Sequence, residues 1–344
     1  MKIIFSKEVR DINHFPHTLE ICVGDATKCS ADESVDILAI SSFKNNYAPT
    51  PGTMIESLWK QGIDVDQFAA DKEVDERDRW HCWISHLLPQ HVPFRRILCF
   101  EQGCAIDPAS VVGNVFRMVT EFSLSKTCQN FNTLRIPLLS TGDQRTSKSI
   151  MLEAIIRQAY NHLKGSLPVS KVQIVLHEKS HDIYQLVFEA GIFFEKIKNE
   201  WSAMKNHNDP QYDFFVSYRR IDYSYAQTMI NTMHQRAPGI RMFIDENSIQ
   251  AGSYWKPSII SGLHASRKAI CLITDSYVDS QECIDEFHAA LCCALHRDHF
   301  LLPLINLKNR KIETLPGTFR SLQMIDAACP PRKIDDIISD ILTK

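Results

Sequence analysis

The stretch Tyr212-Asp-Phe-Phe-Val-Ser-Tyr-Arg-Arg-Ile-Asp222 decides how the carboxyl-terminal part of the chain is read. Phe214, Phe215 and Val216 are consecutive and apolar, without the alternation of a half-exposed strand, so residues 213–217 read as a short buried strand. Residues 218–222 are then the loop at its carboxyl end, and a helix follows from Tyr223. In an open parallel α/β sheet, ligands bind outside the carboxyl ends of the strands. Arg219 stands in that position, where it either pairs with Asp222 on the surface or meets an anionic ligand.

Outward from this stretch, strand and helix patterns alternate. Strands are predicted at 214–217, 241–244, 269–274, 300–304 and 322–325, with helices at 224–236, 255–265, 282–296 and 333–342. Five strands with intervening helices predict a flavodoxin-like wound sheet. Upstream, strands at 19–23, 35–41, 96–100, 133–139 and 171–176 alternate with helices at 53–61, 109–125, 148–164 and 181–190. That alternation implies a second, largely parallel α/β sheet covered by helices. Residues 197–211 lose periodicity, gather polar side chains and contain Pro210, so they read as a linker. The expected division is 1–196, linker 197–211, and 212–344.

Composition narrows the class. A chain of 344 residues that is 44% hydrophobic and 23% charged can bury two ordinary cores. The net charge is −3 with no long basic run, which argues against a nucleic-acid partner. The longest apolar runs, 35–40, 269–274 and 300–305, have strand length and fall far short of the roughly 20 residues a membrane span requires. The opening Met1-Lys-Ile-Ile-Phe-Ser-Lys-Glu turns charged too early for a signal peptide. Eleven cysteines without a C-x-x-C pair fit reduced thiols, so a soluble cytoplasmic protein is expected. The cluster Trp80-His-Cys-Trp-Ile-Ser-His86, with His91 nearby, lacks metal-ligand spacing and reads as packing; no metal site is expected.

Two further segments carry chemistry-bearing residues in the second half. The helix predicted at 282–296 has Cys283, Phe287, Ala290 and Cys293 at helical spacing, with Glu286 on or beside that stripe near the start. A carboxylate there is favoured by the helix dipole. Phe243-Ile-Asp-Glu-Asn-Ser-Ile-Gln-Ala-Gly252 is a strand followed by a polar loop.

In their joint order, "FFVSYRRID", "RMFIDENSIQAGSYW" and "SIISGLHASRKAICLITDSYVDSQECIDEF" resemble the toll/interleukin-1 receptor (TIR) domain, from Asp213 to the carboxyl terminus. In TIR domains that cleave NAD, a glutamate in a motif like S-x-W-C-x-x-E is catalytic. Here the motif reads Ser280-Gln-Glu-Cys-Ile-Asp-Glu286, so the resemblance implies a catalytic Glu286, with Cys283 matching the cysteine. It also implies nucleotide contacts for Tyr218 and Arg219, and places Asp245 as the acid opening the loop after the second strand. Trp255 offers a further aromatic surface. A carboxylate can stabilise the positive charge that develops on the ribose as neutral nicotinamide departs. An arginine suits the diphosphate, and an aromatic offers a face to a flat ring. One position departs: Glu282 stands where the family commonly has Trp, which removes a stacking surface and adds a charge.

In the first half, "GDAT", "VDILAISS", "PTPGTMIESL" and "IPLLSTG" resemble a divergent ADP-ribose-binding macro domain, a three-layer α/β fold, over about residues 1–195. A Ser-Thr-Gly turn before a helix can present backbone N–H groups to an anion. The resemblance implies an adenine contact from Asp25 and a diphosphate loop at Ser140, Thr141 and Gly142. The usual Asn-Ala-Ala-Asn-like sequence is replaced by Ser41-Ser42-Phe43, and the Gly-rich loop by a single Gly52. These losses argue against ADP-ribosyl hydrolysis and leave nucleotide binding open.

The expectation is a TIR NAD+ nucleosidase, hydrolase or cyclase, of immune or antiphage type. NAD+ is its substrate and no cofactor is expected. Its macro-like domain binds an ADP-ribose-type nucleotide, and its TIR domains self-associate. Two rival readings stand beside it: a non-enzymatic TIR adaptor, and an ADP-ribosyl hydrolase in the first half.

Overall fold

The computed structural model describes residues 1–102, 107–124, 131–202, 210–244, 257–320, 322, 325–326 and 339. The chain divides into two compact units, one comprising Met1–Lys164 and Pro168–Ser202, the other Gly165–Leu167 and Ala203–Lys344.

The first unit contains β1 (Lys2–Arg10), β2 (Pro16–Gly24), β3 (Val35–Phe43), α1 (Met54–Trp59), α2 (Val65–Ala70), β4 (Lys72–Glu76), α3 (Arg77–Trp80), β5 (Cys82–Ser85), β6 (Phe94–Gln102), α4 (Pro108–Leu124), β7 (Thr133–Pro137), α5 (Lys148–Lys164), β8 (Lys171–His177) and α6 (Ile183–Ser202). Its eight-stranded sheet has the order β1-β2-β8-β7-β3-β6-β5-β4. The inner strands β2, β8, β7, β3 and β6 are parallel, while β1 at one edge and β5 and β4 at the other run antiparallel to their neighbours. Leu38 and Ile40 of β3 pack with Ile55 and Leu58 of α1 and Val65 and Ala69 of α2. Ile37 and Ala39 alternate with them and point to the other face, and they too are fully buried. That double burial is why β3 reads as an unbroken apolar run in the sequence.

The inner strands fall where the sequence places them. The outer strands β1, β4 and β5 lie outside the predicted set. Lys2–Arg10 is largely solvent-facing and Lys72–Glu76 is charged and mostly half-buried, so their strand character comes from pairing with one neighbour rather than from an apolar pattern. The Trp80–His86 cluster contributes packing as expected: Trp80 and Trp83 are buried, although His81 is exposed and caps α3 in a left-handed conformation. Helix α6 extends to Ser202, well beyond the predicted 181–190, and takes in the first residues of the stretch read as linker. Buried Ile197, with Ala190 and Phe194, continues an apolar stripe that the polar residues around it mask in the sequence.

The second unit contains β9 (Tyr212–Tyr218), α7 (Tyr223–Arg236), β10 (Met242–Ile244), α8 (Pro257–His264), β11 (Ser266–Thr274), α9 (Asp275–Val278), α10 (Gln281–Ala294), β12 (Leu301–Asn306), α11 (Gly317–Arg320) and β13 (Ile325–Asp326). All its strand pairs are parallel, in the order β10-β9-β11-β12-β13. This is the flavodoxin-like order, with the topological switch point between the first and third strands, here β9 and β11. Helix α8 comes close to the sheet because residue 262 is Gly; a Cβ there would lie 2.6 Å from a ring carbon of Phe243. Asp245, Trp255 and, apart from Ser339, the helix expected at 333–342 lie outside the described residues. Among the described residues, no helix is long and apolar enough to cross a membrane.

Candidate functional site

Each unit places chemistry-bearing residues at the carboxyl ends of its strands. In the first unit, the ends of β2, β8, β7 and β3 form the floor of a cleft of about 410 Å³. Asp25, Ser140, Thr141 and Gly142 all line it, so residues from two distant motifs share one cavity. Asp25 Oδ1 accepts from the Thr27 backbone N–H at 3.0 Å and from the Thr27 hydroxyl at 2.8 Å, and Lys28 Nζ lies 3.4 Å from Oδ2. Burial pushes the Asp25 pKa up, but the Thr27 bonds and Lys28 outweigh it and hold the carboxyl below its ordinary value. It is therefore an acceptor facing the cleft at neutral pH.

The turn after β7 carries the strain expected of a binding loop. Ser140 has φ +58°, a left-handed conformation unusual for a residue with a side chain. Its N–H donates to Ser41 Oγ at 2.9 Å, while its own Oγ is buried without a partner. A turn of this form before a helix gathers main-chain N–H groups toward an anion. The Thr141 hydroxyl donates to the Leu138 carbonyl at 2.8 Å, closing the turn. On the far rim, Lys148 Nζ donates to Ser180 Oγ at 2.6 Å and to Asp182 Oδ1 at 2.9 Å. Burial raises the Asp182 pKa, but its bonds to Ser180 and Lys148 prevail and bring it to about 2.

A residue that sequence reasoning missed holds the Asp25 side of the cleft. Arg135 of β7 is fully buried and donates to Gln173 Oε1 at 3.1 and 2.9 Å, to the Ala26 carbonyl at 3.3 Å, and to the Glu33 carbonyl. It also lies 2.7 Å from Cys29 Sγ. Gln173 in turn donates to Glu20 Oε2 at 2.9 Å, so the guanidinium and a carboxylate are linked through an amide inside the sheet. Arg135 thus ties β7 to the 26–33 loop that follows Asp25. The only signal in the sequence is a lone arginine inside the apolar "LRIP" strand.

In the second unit, Ser217 of β9 shares a 2.7 Å hydrogen bond with the buried Tyr277 hydroxyl. Two residues on, Arg219 Nη1 donates to Ser280 Oγ at 2.9 Å and lies 3.6 Å from Glu282 Oε2. Ser280 is the N-cap of α10: its Oγ accepts the Cys283 N–H at 3.3 Å and donates to Glu282 at 2.9 Å. Arg219 is therefore attached to the start of the helix that carries Glu286. Cys283 lies buried, and burial, then the charge of Glu286, pushes its thiol up to about 12. Arg219 and Glu282 also act on that thiol, the first lowering and the second raising its pKa. The half-buried Glu286 likewise raises the pKa of Cys271 and of Tyr277, in each case after burial itself. Tyr218 stands beside Tyr223 with ring centroids 6.4 Å apart.

The Arg219–Asp222 pair considered from sequence does not form. Asp222 Oδ2 instead accepts from the Thr274 hydroxyl at 2.7 Å and the Ser276 hydroxyl at 2.5 Å, across the switch point. A hollow of about 290 Å³ opens there, lined by Asp222, Tyr225, Thr274, Ser276, Asn306 and Lys308 among others. Tyr218, Arg219 and Glu286 are not part of its lining.

Comparison with known proteins agrees with the second unit's fold and motifs. Residues 214–338 match the family described as TIR domain, and the second unit is a TIR domain. The disease resistance protein RPV1 of Vitis rotundifolia is 26% identical over 95 residues, which is 27% of this chain and 7% of that protein's length. Among solved structures, the TIR domain of the Toll-related receptor TRR-2 from Hydra magnipapillata is 16% identical with a TM-score of 0.30, covering 39% of this chain and 96% of that one. An Oceanobacillus iheyensis macrodomain is 18% identical with a TM-score of 0.42, covering 56% of this chain and 98% of that one.

Proposed function

We propose that the second unit cleaves NAD+ at the nicotinamide–ribose bond and that the first binds an ADP-ribose-type nucleotide. The observation that carries the catalytic reading is the attachment of Arg219 to the N-cap of α10, with Glu286 nearly two turns further along the same helix. A diphosphate held by Arg219 places the attached ribose toward that helix. The Glu286 carboxylate then stabilises the oxocarbenium-like centre as nicotinamide leaves, and water or an internal nucleophile completes the reaction. Tyr218 supplies an aromatic face, and buried Cys283 supports the helix start from beneath. Asp245 and Trp255 complete the proposed substrate contacts, and association between TIR domains assembles the working site. The chain acts in the cytoplasm, in defence signalling of the immune or antiphage kind.

For the first unit, the support is the single cleft that gathers Asp25 and the strained Ser140–Gly142 turn. It offers a carboxylate for a base edge and a main-chain loop for a diphosphate.

The test is nicotinamide release from NAD+ by the purified chain. Glu286→Gln should lower the rate at least ~100-fold while leaving the circular dichroism spectrum unchanged. A Glu286→Gln protein as active as the parent removes Glu286 from the mechanism. One observation favours the adaptor reading: Glu282 neutralises Arg219 within the same chain, which competes with a diphosphate. Absence of release at micromolar protein under crowding, with TIR–TIR association intact, would favour it.

A further inference from the structure

The far end of the first unit's cleft is built differently from its middle. Asp25 follows β2, His177 ends β8, the Ser140 turn follows β7, and Ser42 and Phe43 end β3. These strands are consecutive neighbours in the sheet, so their order is also the order of chemistry along the cleft. Three interstrand steps span about 14 Å. An ADP-ribose-type ligand with its base at Asp25 and its diphosphate at Ser140–Gly142 therefore brings its distal ribose to the end of β3.

Several polar side chains around that end are committed to the protein. Ser41 Oγ accepts the Ser140 N–H at 2.9 Å, and Ser42 Oγ is turned to buried Cys99 Sγ at 3.3 Å. The Gln144 amide donates to the Ser42 carbonyl at 2.8 Å, and Thr53 is the N-cap of α1. Asn46 Oδ1 accepts the Ala48 N–H at 3.1 Å. Phe43, by contrast, lines the cleft and is 46% exposed, with Met54 and Ala48 on the same lining. A large exposed aromatic on a cavity wall is a surface for another flat group.

We infer that this end of the cleft selects a nucleotide whose distal ribose still carries a ring, so that the first unit prefers NAD+ to ADP-ribose. The inference rests on the ADP-ribose reading of the cleft. The two ligands differ at the anomeric carbon of the distal ribose, which bears a hydroxyl in ADP-ribose and a nicotinamide ring in NAD+. At Ser41, Ser42, Thr53 and Gln144 an anomeric hydroxyl meets side chains already bonded within the protein. The pyridinium ring is flat and positively charged, and it gains from the face of Phe43 by stacking and cation–π attraction. The first unit then reads the substrate of the second rather than its product.

The experiment is calorimetric titration of the full chain carrying Glu286→Gln, which blocks turnover, with NAD+ and with ADP-ribose. NAD+ is expected to bind about tenfold more tightly. Phe43→Leu, which keeps the bulk and removes the ring face, should bring the two affinities together without altering that for ADP-ribose. Because Phe43 belongs to the first unit, its effect separates this site from any NAD+ bound by the second. Equal or tighter binding of ADP-ribose, or a preference unchanged in Phe43→Leu, overturns the inference and leaves the ADP-ribose reading standing. Binding of neither ligand, or binding indifferent to Asp25→Ala, removes that reading and the inference with it.

Discussion

The two units use charge in opposite ways at the same place in their folds. In the first, the arginine behind the ligand edge, Arg135, is fully buried and bound on several sides. The cleft itself presents hydroxyls, main chain, the carboxylates of Asp25 and Asp143 and the ammonium groups of Lys148 and Lys179. In the second, Arg219 is 43% exposed and held by one serine and one glutamate. A guanidinium buried in a sheet is committed to structure, since moving it strands several acceptors. A half-exposed one can exchange its partner for a ligand at little cost. On the proposed reading, the first unit is a preformed receptacle, and the second is a site whose cation is released from Glu282 as it binds.

That contrast can be broken most forcefully at Arg135. Arg135→Met should destabilise the first unit by about 3–5 kcal/mol, because it leaves the Ala26 and Glu33 carbonyls and Gln173 Oε1 without their donor. Denaturant unfolding of the full chain measures this, and a loss below about 1 kcal/mol would make Arg135 as dispensable as a surface arginine. A smaller effect is expected at Tyr47, whose hydroxyl donates to buried Glu101 behind the 43–48 wall of the cleft. Tyr47→Phe removes one partner from that carboxylate and should cost about 1–3 kcal/mol in the same measurement. The least effect on stability belongs to Glu282. Glu282→Gln should change unfolding by less than about 1 kcal/mol. Freed from its counter-ion, Arg219 should then hold NAD+ better, lowering KM several-fold with kcat little changed. An unaltered KM would mean that the Arg219–Glu282 pair does not compete with substrate.

Much of this arrangement was legible in the residues. The inner strands of both sheets announce themselves as apolar runs because they are covered on both faces. The helix predicted at 282–296, with Glu286 near its start, forms from Gln281 to Ala294. The first unit's edge strands β1 and β4 were not legible, since they are rich in charged residues and pair on one side only; β5 is apolar but only four residues long. Nor was the end of α6, where widely spaced Ala190, Phe194 and Ile197 bury a face between polar neighbours.

What the sequence determined alone is the alternation of strands and helices and the identity of Arg219, Glu286, Asp25 and the Ser140 turn as residues to watch. Those are local facts, set by periodicity and by the side chains a turn or cap requires. Only the tertiary structure decided their partners. Arg219 turns to Ser280 and Glu282 rather than to Asp222, because the crossover through β11 and α9 sets the start of α10 beside the end of β9. Arg135 reaches the Asp25 loop because β8 lies between β7 and β2 in the sheet, an adjacency that strand pairing creates between residues far apart in the chain.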